Sequence, residues 1–215
     1  AAYAQSLRGR SRLLREGRSE PAWLANIEDS MARHGVAVAA RRRDAMANLN
    51  RAASMAGGPF PEARLAMVGE IDDWLADEPA LAVEDRLRRR LGESREVDAR
   101  TGGAAVGPHR SDLVCRHGAD GMPADRCSTG EQKALLISIV LAAAELQAER
   151  RGRAPLLLLD EVLAHLDAER RAALFARIAG LGAQAWMTGT EFDTFRPLGA
   201  EAQFFDVRNG VISPH

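Results

Sequence analysis

With 215 residues, 46% of them hydrophobic, the chain can bury one sizeable core or a small pair, while its formal net charge of −1 excludes a uniformly basic nucleic-acid coat. Any contact with DNA therefore has to come from a local patch. Cys115 and Cys127 are too few for a disulfide framework, no Cys/His cluster has zinc-ligand spacing, and the longest apolar run, Ala134 to Ala144, contains Ser138 and is too short to span a bilayer. With no secretory pattern at the start, the expectation is a cytoplasmic protein without a membrane partner.

Charge is unevenly placed. Residues 1–51 hold ten arginines (Arg8, Arg10, Arg12, Arg15, Arg18, Arg33, Arg41, Arg42, Arg43 and Arg51) against five acids, an excess of five positive charges. Between Glu62 and Asp85 eight acids accompany one base, Arg64, so the two stretches are expected to face different surroundings. Lys133 is the only lysine; the other 28 cationic side chains are arginine.

In chain order, residues 3–16 read as an amphipathic helix whose narrow apolar stripe is carried by Leu7, Leu13 and Leu14, with Arg8, Arg12 and Arg15 sharing one face. Pro21 stands near the start of a second helix running to Met55, with Gly35 its only internal glycine, and the pair reads as an antiparallel arm. Gly57, Gly58, Pro59 and Pro61 break the pattern. A short strand is expected over Arg64–Val68 and another helix over Val83–Ala99. From Ala105 short apolar strands alternate with helices: strand Leu113–Cys115, helix Ser128–Arg150, strand Leu156–Leu159, helix Asp167–Leu181, strand Ala185–Thr188. That alternation predicts a parallel α/β sheet with flanking helices. The end, Phe204–Val207, Asn209-Gly210 and Val211-Ile212, reads as a hairpin with a tight primed turn. The expected division is a helical arm, 1–103, and an α/β part, 104–215.

The run Leu156–Leu159 ends in Asp160-Glu161, placing adjacent carboxylates at the carboxyl end of a buried strand, where ligand sites of open parallel sheets lie. In phosphoryl transfer an acid there holds Mg²⁺ and a neighbouring glutamate orients or deprotonates the attacking water. An ordinary strand end followed by a polar turn is the alternative. Upstream, Ser128-Thr129-Gly130-Glu131-Gln132-Lys133 opens a long helix. A small, glycine-containing helix start lets backbone N–H groups approach an anion, and the same residues form a capping box with Ser128 as cap and Glu131 at the third position; both readings stand together.

Asp160 to Asp167 reads DEVLAHLD and resembles the run across the Walker B and D-loop elements of ABC ATPases, with Asp160, Glu161, Leu166 and Asp167 in register and His165 in a slot usually filled by a small residue. Ser128–Lys133 resembles their signature motif. A phosphate-binding Walker A loop, GxxxxGK[ST], is absent: the lone lysine sits inside the signature. The lobe that carries it is expected to precede Ala1 or to be supplied elsewhere. Gly107-Pro108-His109-Arg110-Ser111-Asp112 then resembles the GPHRDD motif of the RecF family, with Ser111 replacing an aspartate, and the motif order agrees with that family.

The resemblance implies a partial P-loop NTPase head of the ABC type plus a helical arm. It implies an ATP-dependent homodimer with Mg²⁺, in which Glu161 is the catalytic carboxylate and Asp160 the metal ligand. Ser128–Lys133 would complete the partner's ATP site, His165, Leu166 and Asp167 would form the D-loop, and Thr188 or Thr190 would stand where many relatives have a switch histidine, so slow hydrolysis is expected. It further implies action at gapped DNA with RecO and RecR, helping RecA and supporting the SOS response. Arg8, Arg12, Arg15, Arg41, Arg42 and Arg43 are the candidates for duplex phosphate contacts. A transporter-type or other SMC-like ABC subunit and a nonenzymatic binding module are the alternatives. By itself the chain is expected neither to hydrolyse ATP nor to bind it tightly.

Overall fold

A computed structural model describes residues 2–17, 20–55 and 57–215, so Arg18 of the basic stretch lies outside the described residues. The chain divides into two compact units, residues 1–51 with 64–116 and residues 52–63 with 117–215.

The first unit is mainly helical. Helix α1, Ala2–Glu16, is followed by α2, Pro21–Met55, which buries Leu24, Glu28, Met31, Ala32, Val36 and Ala39 at steps of one to four residues along one stripe. Gly35 lies within that stripe. A Cβ there would come within 3.1 Å of the Tyr3 ring, 3.3 Å of Pro108 and 3.4 Å of Leu87, so glycine permits the close approach of three other segments to α2. Strand β1, Ala63–Val68, pairs with β2, Asp112–His117. Between them lie α3 (Glu70–Asp77), α4 (Ala80–Glu93) and α5 (Arg95–Thr101). Ile71, Trp74, Val83, Leu87, Leu91, Ala104 and Val106 join Tyr3 and the α2 stripe in one core.

The sequence pattern misreads this region in two places. The single helix expected over Val83–Ala99 is two, divided at Ser94, whose hydroxyl donates to the Asp98 carboxylate at 2.6 Å. The acidic run 70–77 is itself a helix, because Glu70, Asp72 and Asp73 crowd its first turn, where they favour the helix dipole, while Ile71 and Trp74 face the core.

Arg10, read from sequence as part of a surface excess, is completely buried. It occupies the centre of the stripe Tyr3, Leu7, Arg10, Leu14. Its guanidinium donates to Glu28 at 2.9 Å, Asp98 at 2.7 Å and the Leu91 carbonyl at 2.6 Å. Arg95 caps Glu28 with bonds of 3.0 and 2.6 Å, and the Ala105 N–H donates to Asp98 at 2.9 Å. Two cations and two anions thus balance across α1, α2 and α5, each with further hydrogen bonds, which is the condition for tolerating buried charge.

The second unit packs α6 (Thr129–Arg151) and α7 (Ala168–Gly180) around β3 (Leu157–Leu159) and β4 (Ala185–Met187), which pair in parallel with Leu158 opposite Trp186. Leu135 and the core residues Ala134, Ile137 and Leu141 of α6 are buried; Leu174, Phe175 and Ile178 of α7 close the core around Leu157. The parallel sheet expected from the alternation is therefore one parallel pair among the described residues. Strands β5 (Phe205–Arg208) and β6 (Val211–Pro214) form the antiparallel terminal hairpin, with Asn209 at φ 52° and Gly210 at φ 78°, the two left-handed residues of a primed turn. No described helix is long and apolar enough to cross a membrane.

Candidate functional site

In the second unit, β3 delivers Asp160 and Glu161 to its carboxyl end, and β4 delivers Thr188 beside them. The Thr188 hydroxyl donates to Asp160 Oδ1 and accepts the Glu161 N–H at 2.9 Å, while the Thr188 N–H continues the ladder to Leu159 O at 3.1 Å. Thr188, expected as a switch residue, is thus fastened to both carboxylate residues of its own chain. Thr190 is exposed. Glu161 adopts φ 46°, a left-handed conformation uncommon for a non-glycine residue. Its carbonyl accepts a hydrogen bond from the Lys133 ammonium. Glu161 is exposed, and its carboxylate makes no hydrogen bond or ion pair among the described residues.

The turn that follows alternates between core and solvent. Val162, Leu163 and Leu166 are buried in the core, whereas Glu161, Ala164 and His165 are exposed. The three buried side chains anchor the turn from beneath. His165 takes φ 67°. Asp167 caps α7 by accepting the Arg170 N–H at 2.7 Å.

Helix α6 begins with the capping box read from sequence: Ser128 Oγ accepts the Glu131 N–H at 3.3 Å and Glu131 accepts the Ser128 N–H at 2.8 Å. The bonds from Ser128 hold the Glu131 carboxyl below its ordinary pKa. Gln132 reaches back to Cys127 O at 3.0 Å. Ser128 and Thr129 are exposed at the tip, and a Cβ on Gly130 would lie 3.9 Å from the His165 carbonyl, so the helix start and the turn after β3 are neighbours within one chain.

In the first unit, the GPHR motif is a clasp. Gly107 has φ 143°, and a Cβ there would fall 2.2 Å from the Tyr3 hydroxyl oxygen. His109 Nε2 lies 3.1 Å from the Ala104 carbonyl, which can only accept, so Nε2 carries the proton and Nδ1 accepts the Tyr3 hydroxyl at 2.7 Å. Partial burial and nearby Arg110 lower the His109 pKa, against the opposing pull of the Ala104 bond. Arg110 also donates to Ala104 O at 3.1 Å, and Arg42 to Pro108 O at 2.6 Å. Asp112 accepts the N–H of its own neighbour Leu113 at 2.8 Å. Ser111, in the aspartate's place, donates to buried Asp72; Gly69 is required there, since a Cβ would lie 2.9 Å from Ser111 Cα.

Of the arginine candidates, all six are exposed. Arg12 pairs with Glu16 at 2.8 Å, Arg15 donates to Ser11 O at 3.4 Å, and Arg42 and Arg43 donate to Pro108 O and Leu75 O. Arg8 and Arg41 have no such partner among the described residues. The buried set Arg10, Glu28 and Asp98 was missed by sequence reasoning; its one legible signal is the 3, 7, 10, 14 spacing.

No family model matches the chain. Among curated proteins it is 48% identical over 212 residues to the DNA replication and repair protein RecF of Rhizobium etli, and 45% identical over 216 residues to that of Mesorhizobium japonicum. It covers 98% and 99% of this chain but 56% of each relative, so the chain spans little more than half their length. Among solved structures it is similar to the recombination mediator protein RecF-ATPrS in the RecFOR pathway, with a TM-score of 0.77 and 21% identity over 99% of this chain and 57% of that one. A second, RecF-ATP in the same pathway, gives 0.75 and 22%.

Proposed function

Because the chain belongs to the RecF family, we propose that it is the signature and Walker B part of an ABC-type ATPase that acts in DNA replication and repair. The observation that carries this reading is the convergence at the end of β3. Two carboxylate residues, one fastened to β4 through Thr188 and the other held in a left-handed turn, stand beside the capped start of α6.

That arrangement divides the chemistry among named groups. Asp160 presents a single carboxylate; a lone strand-end acid is the donor set Mg²⁺ takes when phosphate oxygens and water supply the remaining positions, so Asp160 would hold the ion. Mg²⁺ would supply charge neutralisation on the phosphates. Glu161, its carboxylate unpartnered, would accept the proton of the attacking water. The exposed tip at Ser128, Thr129 and Gly130 offers helix N–H groups to an anion, and in an ABC dimer the anion would be the γ-phosphate bound to the other subunit.

The phosphate-binding loop would lie outside the stretch shared with the relatives. Leu158, 73% exposed, and Trp186, 53% exposed, support this: parallel strands are normally covered on both faces, and here one face of the β3–β4 pair is open. The chain alone therefore neither turns over ATP nor holds it tightly.

Nucleotide would act as the adhesive of a homodimer and hydrolysis as its release, so turnover is slow. The dimer would clamp gapped or duplex DNA in the cytoplasm and work with RecO and RecR to assist RecA and the SOS response. Exposed Arg8 and Arg41 are the first candidates for phosphate contact, ahead of Arg12, paired with Glu16, and Arg15, bonded to Ser11 O. Arg42 and Arg43 are spoken for by backbone carbonyls and rank behind them.

The test is ATP turnover and dimer formation by the whole protein with and without Glu161→Gln. Loss of hydrolysis with a longer-lived ATP-dependent dimer supports the reading. Unchanged turnover removes Glu161 from the chemistry and the ABC assignment with it.

A further inference from the structure

Glu161 holds a backbone conformation that costs a non-glycine residue on the order of 1 kcal/mol or more, and three contacts bear on that peptide. Its N–H donates to the Thr188 hydroxyl at 2.9 Å. Its carbonyl accepts from Lys133, and the next residue, Val162, is sunk in the core. Thr188 and Val162 are features of the β3–β4 pair and its turn. Lys133 is not: it comes from α6, one turn beyond the signature tip, and it is the chain's single lysine.

A lysine at the fifth helical position of the signature could serve the nucleotide of the other subunit. In this chain its ammonium is instead directed at the backbone of its own Glu161. Lysine suits this task, because a carbonyl needs one point donor rather than a planar fork, and the flexible four-carbon stem spans from helix to turn.

We infer that Lys133 is a positioning residue for hydrolysis: it fixes the peptide of Glu161 from the signature helix of the same subunit, and so ties the aim of the catalytic carboxylate to the placement of that helix. This rests on the ABC reading of Asp160 and Glu161. It adds that the signature helix faces two ways. Its tip at Ser128–Gly130 meets the partner's nucleotide, and Lys133 reports the position of that tip to the carboxylate at home. A subunit whose signature is displaced from the partner's nucleotide would also lose the aim of its own Glu161, which links the two ATP sites of a dimer without any contact between them.

The experiment compares Lys133→Met, which keeps most of the stem, with Lys133→Arg in the whole ATPase, reading kcat, KM for ATP and ATP-dependent dimer formation. Because a misplaced reacting group costs on the order of tenfold to a hundredfold in rate, Lys133→Met is expected to lower kcat by at least about tenfold while KM and dimer formation stay within about twofold. Lys133→Arg, retaining a donor, recovers most of the loss. In a Glu161→Gln background, Lys133→Met leaves the residual turnover unchanged, since its route of action is already gone; this comparison holds even if the single variant is less stable.

A raised KM and weakened dimer with kcat intact would show that Lys133 serves the partner's nucleotide, overturning the inference while leaving the ABC reading in place. A further drop in the Glu161→Gln background would overturn it as well. Full turnover by Glu161→Gln alone would instead remove the reading on which the inference rests.

Discussion

In the first unit, a fully buried arginine, Arg10, sits with a buried glutamate and a buried aspartate, and every one of them is saturated with partners. In the second unit the reverse holds. Leu158 of β3 and Trp186 of β4, with Leu156 just before β3 and Phe205, Val207 and Ile212 of the hairpin, stand open to water. The first unit thus closes its core over internal charge, with Asp72 Oδ1 left buried and without a partner among the described residues, whereas the second unit leaves an apolar strand face open. On the proposed reading it is the surface that the rest of an ABC head would cover.

The largest test of this contrast is Arg10→Met. Breaking a buried, hydrogen-bonded ion network costs about 3–5 kcal/mol, whereas Arg12→Met on the same helix, whose pair with Glu16 is solvent-exposed and screened, is expected to leave the unfolding midpoint nearly unchanged. Urea unfolding of both variants measures the difference; equal effects would mean that the first unit is not built around its charges.

Gly107→Ala comes next. Its Cβ would overlap the Tyr3 hydroxyl at a backbone angle that L residues avoid, so a loss of roughly 2–3 kcal/mol is expected in the same assay. Gly102→Ala, also at positive φ but with nothing within 4 Å, should cost less.

The clasp should also titrate. His109 is neutral in the fold and its pKa is lowered by burial, so the unfolded chain binds the extra proton more readily. The stabilisation is complete above the ordinary histidine value of about 6.5 and is lost as pH falls through the lower folded value. A stability-versus-pH curve that falls below neutrality, and flattens there with His109→Gln, is the expected result.

The smallest expected effect is the most telling about the second unit. Leu158→Ala, on the open strand face, should change stability of this chain by about 0.5 kcal/mol or less, while Leu174→Ala in the closed core should cost about 2–5 kcal/mol. In the whole protein the first figure should rise toward the second, because the face is then covered.

How much of this was legible in the sequence depended on what kind of signal each residue carries. Strand β3, helices α6 and α7 and the hairpin could be read because an apolar run, a capping box and an Asn-Gly pair are local statements. The place of Asp160 and Glu161 at a strand end was legible from the apolar run before them. Arg10 was not, because a charged residue reads as surface unless its partners are known, and Glu28 and Asp98 lie 18 and 88 positions away. The same limit hid the division at Ser94, whose reason is the placement of Asp98, and the contact of Lys133 with Glu161, which spans 28 positions. The GPHR run identified a family by its letters, while its meaning as a clasp depends on Tyr3, 106 positions from His109.

The central claim, that each ATP site is shared between two subunits, is tested most directly by mixing two inactive versions of the whole protein. One carries Glu161→Gln, the other a signature broken by Ser128→Arg. In a mixed dimer one site combines both defects and the other combines intact Glu161 with an intact signature. The account predicts that two preparations with negligible turnover recover activity when mixed in equal amounts, up to a ceiling of about a quarter of normal set by random pairing in a two-fold dimer, with coupling through Lys133 lowering the yield below that ceiling. A mixture as inactive as its components, under conditions where exchange of subunits is demonstrated, would contradict it.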